Sequence, residues 1–289
     1  MENPEEKKPR RRTERKTTAK DNKKEKYTTK GKFKKSPDKE KYKKKIEKIE
    51  KPEPIRLNKF IAASGICSRR DADELIKKGK VKLEGKVVTE MGLKVDLSAN
   101  VLVNNKIITP EKKVYILINK PKDYISTVDD PHAERTVIDL IRNATKERVY
   151  PVGRLDRNTT GVLLLTNDGD LTKKLTHPSF NKKKIYHISL NKAVVRADLD
   201  RIAEGIELDD GFIKADAINF VDGNKKEIGI EMHSGRNRIV RRIFEYLGYR
   251  VVKLDRVYFA GLTKKSVPRG KWRFLEEKEI SMLKMGAFE

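Results

Sequence analysis

GRLDRNTTGVLLLT, at residues 153–166, places a single carboxylate in a loop bounded by two glycines, directly ahead of an apolar run. The continuous apolar run at Val162–Thr166 predicts a buried strand. Loops held by a rigid scaffold commonly carry chemistry, and this loop lies at the entrance of the strand. Asp156 stands between Arg154 and Arg157, and nearby positive charge favours the ionised carboxylate. These residues alone suit a nucleophile or electrostatic stabiliser, but a solvated surface ion pair is the commoner alternative.

The longer segment, GRLDRNTTGVLLLTNDGDL at Gly153–Leu171, resembles the catalytic motif of the pseudouridine synthases, and especially their RsuA/RluB-type rRNA branch. In that family the aspartate of the G-R-L-D motif is catalytic, which implies that role for Asp156. The resemblance implies site-specific isomerisation of uridine to pseudouridine in ribosomal RNA, with Asp156 as the nucleophile. That reaction involves no redox change or phosphate transfer, so it implies no cofactor and no metal. We expect Arg154 and Arg157 to bind the substrate.

Two further segments resemble family elements that contact the target base. Lys184–Tyr186 matches a lysine-x-tyrosine element whose ring stacks on that base, so the resemblance implies a catalytic role for Tyr186. Without the family, Tyr186 is more simply an aromatic residue of a strand. Leu254 resembles a late leucine that packs beneath the base, and it is ordinary core in the alternative interpretation.

A third segment, Arg236–Arg241, resembles the family's last motif. The resemblance implies that Arg241 is the basic residue that pairs with the catalytic aspartate. Periodicity does not choose between Arg241 and Arg242, because they flank the apolar stripe of the predicted helix on opposite sides. The family usually has a polar residue where Ile239 stands.

A small domain precedes these motifs. Gly65 and Ser68 predict the end of one helix and the start of the next, with Asp71 completing a capping box, and a β-hairpin follows. Arg56–Val88 also resembles the ribosomal-protein-S-four type of RNA-binding domain, apart from Glu84, where that family usually has asparagine. Its polar face carries the cations that we expect to bind substrate: Arg56, Lys59, Arg69 and Arg70.

The predicted fold is α+β, and its domains differ in composition. Residues 1–54 hold 22 lysines and arginines against 11 aspartates and glutamates, which predicts a disordered basic tail. That tail is interpreted equally well as an RNA-binding arm or as a solubilising segment. Residues 55–104 are the predicted RNA-binding domain, and residues 104–113 a linker. Residues 114–285 are the predicted catalytic domain, with a largely antiparallel sheet.

Within the catalytic domain, apolar runs predict strands at Tyr115–Ile118, Ile185–Ile188 and Ile228–Ile230. Periodicity predicts a short helix at Asp198–Gly205 and a longer helix at Arg236–Gly248.

Composition bounds the class of partner. The 289 residues carry a formal charge of +25, which favours a polyanion, and nucleic acid before a membrane. No apolar stretch approaches the ~20 residues of a membrane span, and the first residues lack a secretory apolar region. One cysteine excludes an internal disulfide, which fits the cytoplasm. We expect a monomer that acts on ribosomal RNA or pre-ribosomal particles.

Two alternatives compete with this interpretation. The first is a non-enzymatic rRNA-binding or ribosome-assembly factor that keeps the fold without the activity. The second is another base- or sugar-modifying RNA enzyme, which would need a metal or cofactor motif that the sequence does not offer.

Overall fold

A small domain of two helices and six short strands comes first in the part of the chain that the structure describes. The computed structural model describes residues 53–128 and 134–286; nearly all of the predicted tail lies outside these ranges. The elements of the small domain are α1 (Leu57–Ala63), α2 (Arg69–Lys77), β1 (Ile55–Arg56), β2 (Val81–Leu83), β3 (Lys86–Val88), β4 (Lys94–Val95), β5 (Val101–Val103) and β6 (Lys106–Ile108). The sheet has the antiparallel order β3-β2-β5-β6, and β1 pairs with β4.

The predicted helix boundaries of this domain are confirmed. Gly65 has φ +77° just beyond α1, in the left-handed region that terminates helices. The Asp71 amide donates to Ser68 Oγ at 3.2 Å, and the Ser68 amide donates to Asp71 Oδ2 at 3.1 Å. Phe60 and Ile76 are buried where the helices meet the sheet.

Two details of the small domain differ from expectation. The linker predicted from residue 104 is wrong in its first half, because Lys106–Ile108 pairs with β5 as a fourth strand. Two adjacent apolar residues, Ile107 and Ile108, are too short a pattern to predict that strand. Glu84 occupies the turn between β2 and β3 at φ +47°, a region that asparagine tolerates better. Its carboxylate accepts a hydrogen bond from the Asn100 amide at 2.8 Å.

The larger domain is built on a nine-stranded sheet. Within the described residues this domain has eleven strands, nine of them in that sheet: β7 (Tyr115–Lys120), β8 (Tyr150–Pro151), β9 (Thr159–Thr166), β10 (Lys184–Leu190), β11 (Ile206–Leu208), β12 (Gly211–Ile213), β13 (Ala217–Val221), β14 (Asn224–Met232), β15 (Val251–Phe259), β16 (Leu262–Thr263) and β17 (Trp272–Phe274). Its helices are α3 (Gly169–Thr176), α4 (Arg196–Glu204), α5 (Ile239–Tyr246) and α6 (Glu277–Met285), with 3-10 turns at Asp139–Ile141 and Pro178–Phe180.

The main sheet runs in the order β13-β14-β10-β15-β9-β7-β17, with β16 beside β15 and β8 beside β9; β11 and β12 form a separate hairpin. Every pair in it is antiparallel except β9 with β15, so the predicted largely antiparallel α+β fold is confirmed.

Burial on both faces explains the continuous apolar run in β9. Leu163 and Leu165 pack into one core cluster, while Val162 and Leu164 pack into another. A strand with one wet face would alternate apolar and polar residues, and this one does not.

The register of three neighbouring strands positions the candidate site. β9 begins just after the Asp156 loop, and Thr159 lies opposite Leu254 of β15. Tyr186 of β10 lies opposite Arg256, two residues further along β15. The three sequence motifs therefore meet on adjacent central strands of the sheet.

The helix predicted at Arg236–Gly248 begins later than expected. It starts at Ile239, because Arg238 has a left-handed backbone at φ +48°. Arg236, Asn237 and Arg238 therefore form a loop, in which Asn237 and Arg238 line the candidate site while Arg236 binds the β11–β12 hairpin. Among the described residues, no helix is long and apolar enough to cross a bilayer.

Candidate active site

The loop that carries Asp156 is held from below by a buried lysine. Lys120 is fully buried at the end of β7, and the three N–H donors of its Nζ are shared among four backbone carbonyls within hydrogen-bonding distance. Three of these carbonyls belong to Asp156, Arg157 and Thr159, at 3.1, 3.2 and 2.9 Å. One ammonium group therefore fixes the backbone on which the Asp156 side chain is mounted.

Burial also lowers the pKa of Lys120, from an ordinary value of 10.5 to about 8. The negative charges of Asp156 and Asp123 act in the opposite direction and favour the charged amine. A second clamp is Ser126, whose hydroxyl donates to the Leu155 carbonyl at 3.0 Å and accepts from the Leu155 amide at 3.1 Å.

Two guanidinium groups lie beside the Asp156 carboxylate. Arg241 Nε is 3.7 Å from Asp156 Oδ2, and Arg238 Nη1 is 3.8 Å from the same oxygen. Arg241 is buried, and its Nη1 is anchored on the Val251 carbonyl at 3.1 Å. Its Nε and Nη2 are buried and have no hydrogen-bond partner among the described residues. A small approach of the carboxylate would convert the ion pair into a hydrogen bond.

Arg242 points to a different partner. It pairs with Asp209 and Asp210 in the turn of the β11–β12 hairpin, with Nη1 2.8 Å from Asp210 Oδ2. The geometry therefore makes the choice between neighbouring arginines that periodicity leaves open: Arg241 lies beside Asp156, and Arg242 pairs elsewhere.

A cleft opens in front of Asp156. It encloses about 580 Å³ and is bounded by the Asp156 loop on one side and by Asn237 and Arg238 on the other. A smaller recess of about 70 Å³ adjoins it, where Asp156 meets Tyr186 and Leu254. Tyr186 is half-buried and Leu254 is buried, so both present apolar surface to this recess.

Arg256 supports the recess from behind. It is buried, its Nε donates to the Val162 carbonyl at 2.9 Å, and its guanidinium stacks on the Phe259 ring at 4.4 Å. Burial lowers the pKa of Arg256, and the neighbouring Tyr186 hydroxyl partly offsets that effect.

The flanking arginines lie on the surface of the cleft. Arg154 is exposed and lines both the cleft and the recess. Arg157 is exposed and lines the cleft, and its Nε lies 3.8 Å from Asp123 Oδ1. Ile239 is buried and lines the recess, where the family usually places a polar side chain.

The cations of the small domain lie elsewhere. Arg56, Lys59 and Arg69 line a separate groove next to the catalytic domain, and Lys59 pairs with Asp170 at 2.6 Å. Arg70 is exposed but does not line that groove. In the described ranges, no group of three histidine, cysteine or acidic side chains is arranged to hold a metal ion.

Sequence reasoning missed two residues of this site. Lys120 could have been suspected, because a charged residue closes an apolar strand directly before Pro121, and such a residue must find partners when buried. Arg238 was assigned to a helix, where its contact with Asp156 could not be anticipated. Only the left-handed backbone at that position directs it to the carboxylate.

Two family descriptions match the chain. The family described as RNA pseudouridylate synthase matches residues 114–246, and the S4 domain family matches residues 55–101.

Full-length relatives agree with these matches. Ribosomal large subunit pseudouridine synthase B of Bacillus subtilis is 40% identical over 79% of this chain and 95% of its own length. An RNA pseudouridine synthase of Aquifex aeolicus is 38% identical over 79% and 93%. The dual-specificity RNA pseudouridine synthase RluF of Escherichia coli is 34% identical over 78% and 77%.

The structure is also similar to a crystal structure of a pseudouridylate synthase, with a TM-score of 0.57 and 27% sequence identity. The match spans 79% of this chain and 99% of the chain in the crystal structure. The matches to both families and the full-length relatives identify an RNA-modifying enzyme, and its cleft holds a carboxylate beside two guanidinium groups. The chain belongs to the RNA pseudouridine synthase family.

Proposed function

We propose that this protein isomerises specific uridines of ribosomal RNA to pseudouridine, with Asp156 as the nucleophile. The observation that carries the proposal is the Asp156 carboxylate, mounted on a loop tied to Lys120 and facing a cleft between Arg238 and Arg241. No hydrogen bond from another described residue engages either carboxylate oxygen, so its lone pairs are available to a substrate.

The proposed chemistry is a balanced exchange of bonds at one ribose carbon. An Asp156 oxygen forms a bond to C1′ while the C1′–N1 bond breaks, and uracil leaves with the electron pair. The detached uracil turns, its C5 bonds to C1′, and the carboxylate leaves. The proton on C5 is then lost and N1 gains one, so the product is an isomer of the substrate.

The recess beside Asp156 suits the detached base. Tyr186 and Leu254 offer an aromatic and an aliphatic surface between which a planar ring can be held. Such a site must also repay the few kcal/mol that it costs to take the base out of its stack. Arg154 and Arg157 lie at the cleft, where RNA phosphates can be neutralised.

Ribosomal RNA is proposed as the substrate on two grounds. The Bacillus subtilis relative is named for the large ribosomal subunit, and the chain carries an excess of positive charge together with an S4 domain. Pre-ribosomal particles are the corresponding partner, and the cytoplasm is the proposed compartment.

The experiment is a pseudouridine map of all ribosomal RNA from a strain that lacks this gene. We expect at least one site to revert to uridine and to be restored by the wild-type gene but not by Asp156→Asn. Unchanged maps would exclude ribosomal RNA as the substrate. Restoration by Asp156→Asn would mean that Asp156 is not the nucleophile.

A further inference from the structure

A second concave surface lies where the small domain meets the catalytic domain. It encloses about 780 Å³, which is more than the cleft at Asp156. We call it the interdomain groove, and its cations are Arg56, Lys59, Arg69, Lys113, Arg148 and Lys173.

The interdomain groove is strongly basic. Three of its cations come from the small domain and three, Lys113, Arg148 and Lys173, from the remainder of the chain. Asp170 is the single carboxylate among the residues that line it, and Lys59 already neutralises it at 2.6 Å. Positive charge in a concave surface concentrates the field and attracts anions.

Several of these cations are not used by the fold. Within residues 53–128 and 134–286, the side chains of Arg56, Arg148 and Lys173 make no hydrogen bond and no ion pair. A guanidinium that serves the fold normally has carbonyl or carboxylate partners, as Arg241 has Val251 and Asp156. Charges without such partners are available to a ligand.

The walls of the groove are fixed to one another. The Glu111 amide donates to the Ala63 carbonyl at 2.8 Å, and the Glu111 carboxylate accepts from the Arg148 amide at 3.2 Å. The Lys59–Asp170 pair adds a second connection. The cations of the two domains are thus held at defined positions before any ligand arrives, which lowers the cost of binding.

One segment of the chain lines both the groove and the catalytic cleft. Val128 lines the interdomain groove, and the three residues before it, 125–127, line the cleft at Asp156. Consecutive residues therefore connect an edge of the cleft with an edge of the groove.

We propose that the interdomain groove binds the phosphates of the RNA strand that continues from the uridine in the cleft, with Arg148 and Lys173 as contacts from the catalytic domain. This inference rests on the proposed function for its choice of RNA as the polyanion. It extends RNA binding from the face of the small domain to a surface that both domains build. The catalytic domain then sets the direction of the strand as well as the chemistry.

The test compares two double variants of the full-length protein that remove the same charge. Arg148→Ser/Lys173→Ser alters the groove, whereas Arg250→Ser/Lys225→Ser removes one arginine and one lysine, both exposed, that line neither the groove nor the cleft. The probe is a single-stranded oligouridylate of about 20 nucleotides, and its affinity is measured across a salt series.

We expect the groove variant to lower the magnitude of the slope of log affinity against log salt by about 1.4, since each lost single-strand contact removes about 0.7. The control pair should leave the slope unchanged. Equal slopes for the two pairs would overturn the proposal. This measurement of affinity does not depend on turnover. A wild-type protein without activity would contradict the proposed function, but the salt slopes would still test the groove.

Discussion

At the scale of single residues, the candidate site depends on two cations that do different work. Arg241 faces the carboxylate of Asp156, whereas Lys120 holds the backbone beneath it. Arg238 adds a third positive charge, but from a more exposed position. We therefore propose that Arg241 stabilises the negative charge of the Asp156 carboxylate and that Lys120 holds the Asp156 backbone in position.

Replacing Arg241 by methionine should reduce kcat by about 100-fold, because a buried charge partner of Asp156 is lost. Arg242→Met is the matched control, since Arg242 pairs with Asp209 and Asp210 instead. Its kcat should fall by less than about threefold. Single-turnover rates at saturating RNA measure both, and equal losses would mean that Arg241 has no special role.

Lys120 predicts a particular dependence of stability on pH. Its pKa is about 8 in the folded protein, against an ordinary value of 10.5. Between these values the unfolded chain keeps a proton that the folded protein has released, so the stability contributed by this group rises with pH.

We expect the free energy of unfolding of the wild type, relative to Lys120→Met, to rise between pH 8 and pH 10 by up to about 1.4 kcal/mol per pH unit. Urea denaturation at several pH values measures it. If the stability of the wild type relative to Lys120→Met fell as the pH rose, burial would not lower the pKa of Lys120.

At the scale of elements, the close approach of β9 and β15 shapes the site. Gly161 in β9 has φ +109°, and a Cβ there would lie 2.1 Å from the Arg256 carbonyl and 2.5 Å from Asp255 Oδ1. A side chain would therefore push apart the two strands that carry Leu254 and the Asp156 loop.

Gly161→Ala should destabilise the protein by about 3 kcal/mol or more, because backbone strain and a clash with backbone atoms add together. Gly211→Ala is the control, since its φ of +101° is similar but nothing lies within 4 Å of the added carbon. It should cost about 1 kcal/mol. Thermal unfolding measures both, and equal costs would contradict the close approach.

Periodicity and composition predicted the interiors of the elements better than their ends. The run at Val162–Thr166 is a strand because both faces are buried, and the capping box at Ser68 fixes the start of α2. Patterns could not predict the late start of α5, because the left-handed backbone of Arg238 depends on tertiary contacts. β6 was missed because only Ile107 and Ile108 mark it.

For the candidate site, the motif residues could be predicted from the sequence, but the partners of their charges could not. Asp156, Tyr186 and Leu254 lie together as the family motifs implied, around one recess. The partners of a charge depend on which strand ends meet, and the order of strands cannot be obtained from local periodicity. That is why Lys120, 36 residues before Asp156, was not anticipated.

At the scale of the whole molecule, the small domain and the catalytic domain place cations along one groove. The small domain is attached through Glu111 and through the Lys59–Asp170 pair, so it presents its cations next to those of the catalytic domain. Residues 1–54 add a further net charge of +11, from 22 lysines and arginines against 11 acidic residues.

Deleting residues 1–54 should leave turnover at saturating RNA unchanged and weaken RNA binding. Each phosphate contact that is lost should lower the magnitude of the salt slope by roughly 0.7–0.9. Filter binding across a salt series measures this for the full-length and truncated proteins. An unchanged slope would favour the solubilising interpretation of the tail.

The most direct test of the central claim measures release of tritium from RNA labelled at uracil C5, with Asp156→Asn against the wild type. Asparagine keeps the shape of the side chain but cannot act as an anionic nucleophile. We predict that the rate falls by at least about a thousandfold while RNA affinity stays within about twofold. Turnover by Asp156→Asn at more than a small fraction of the wild-type rate would contradict the account.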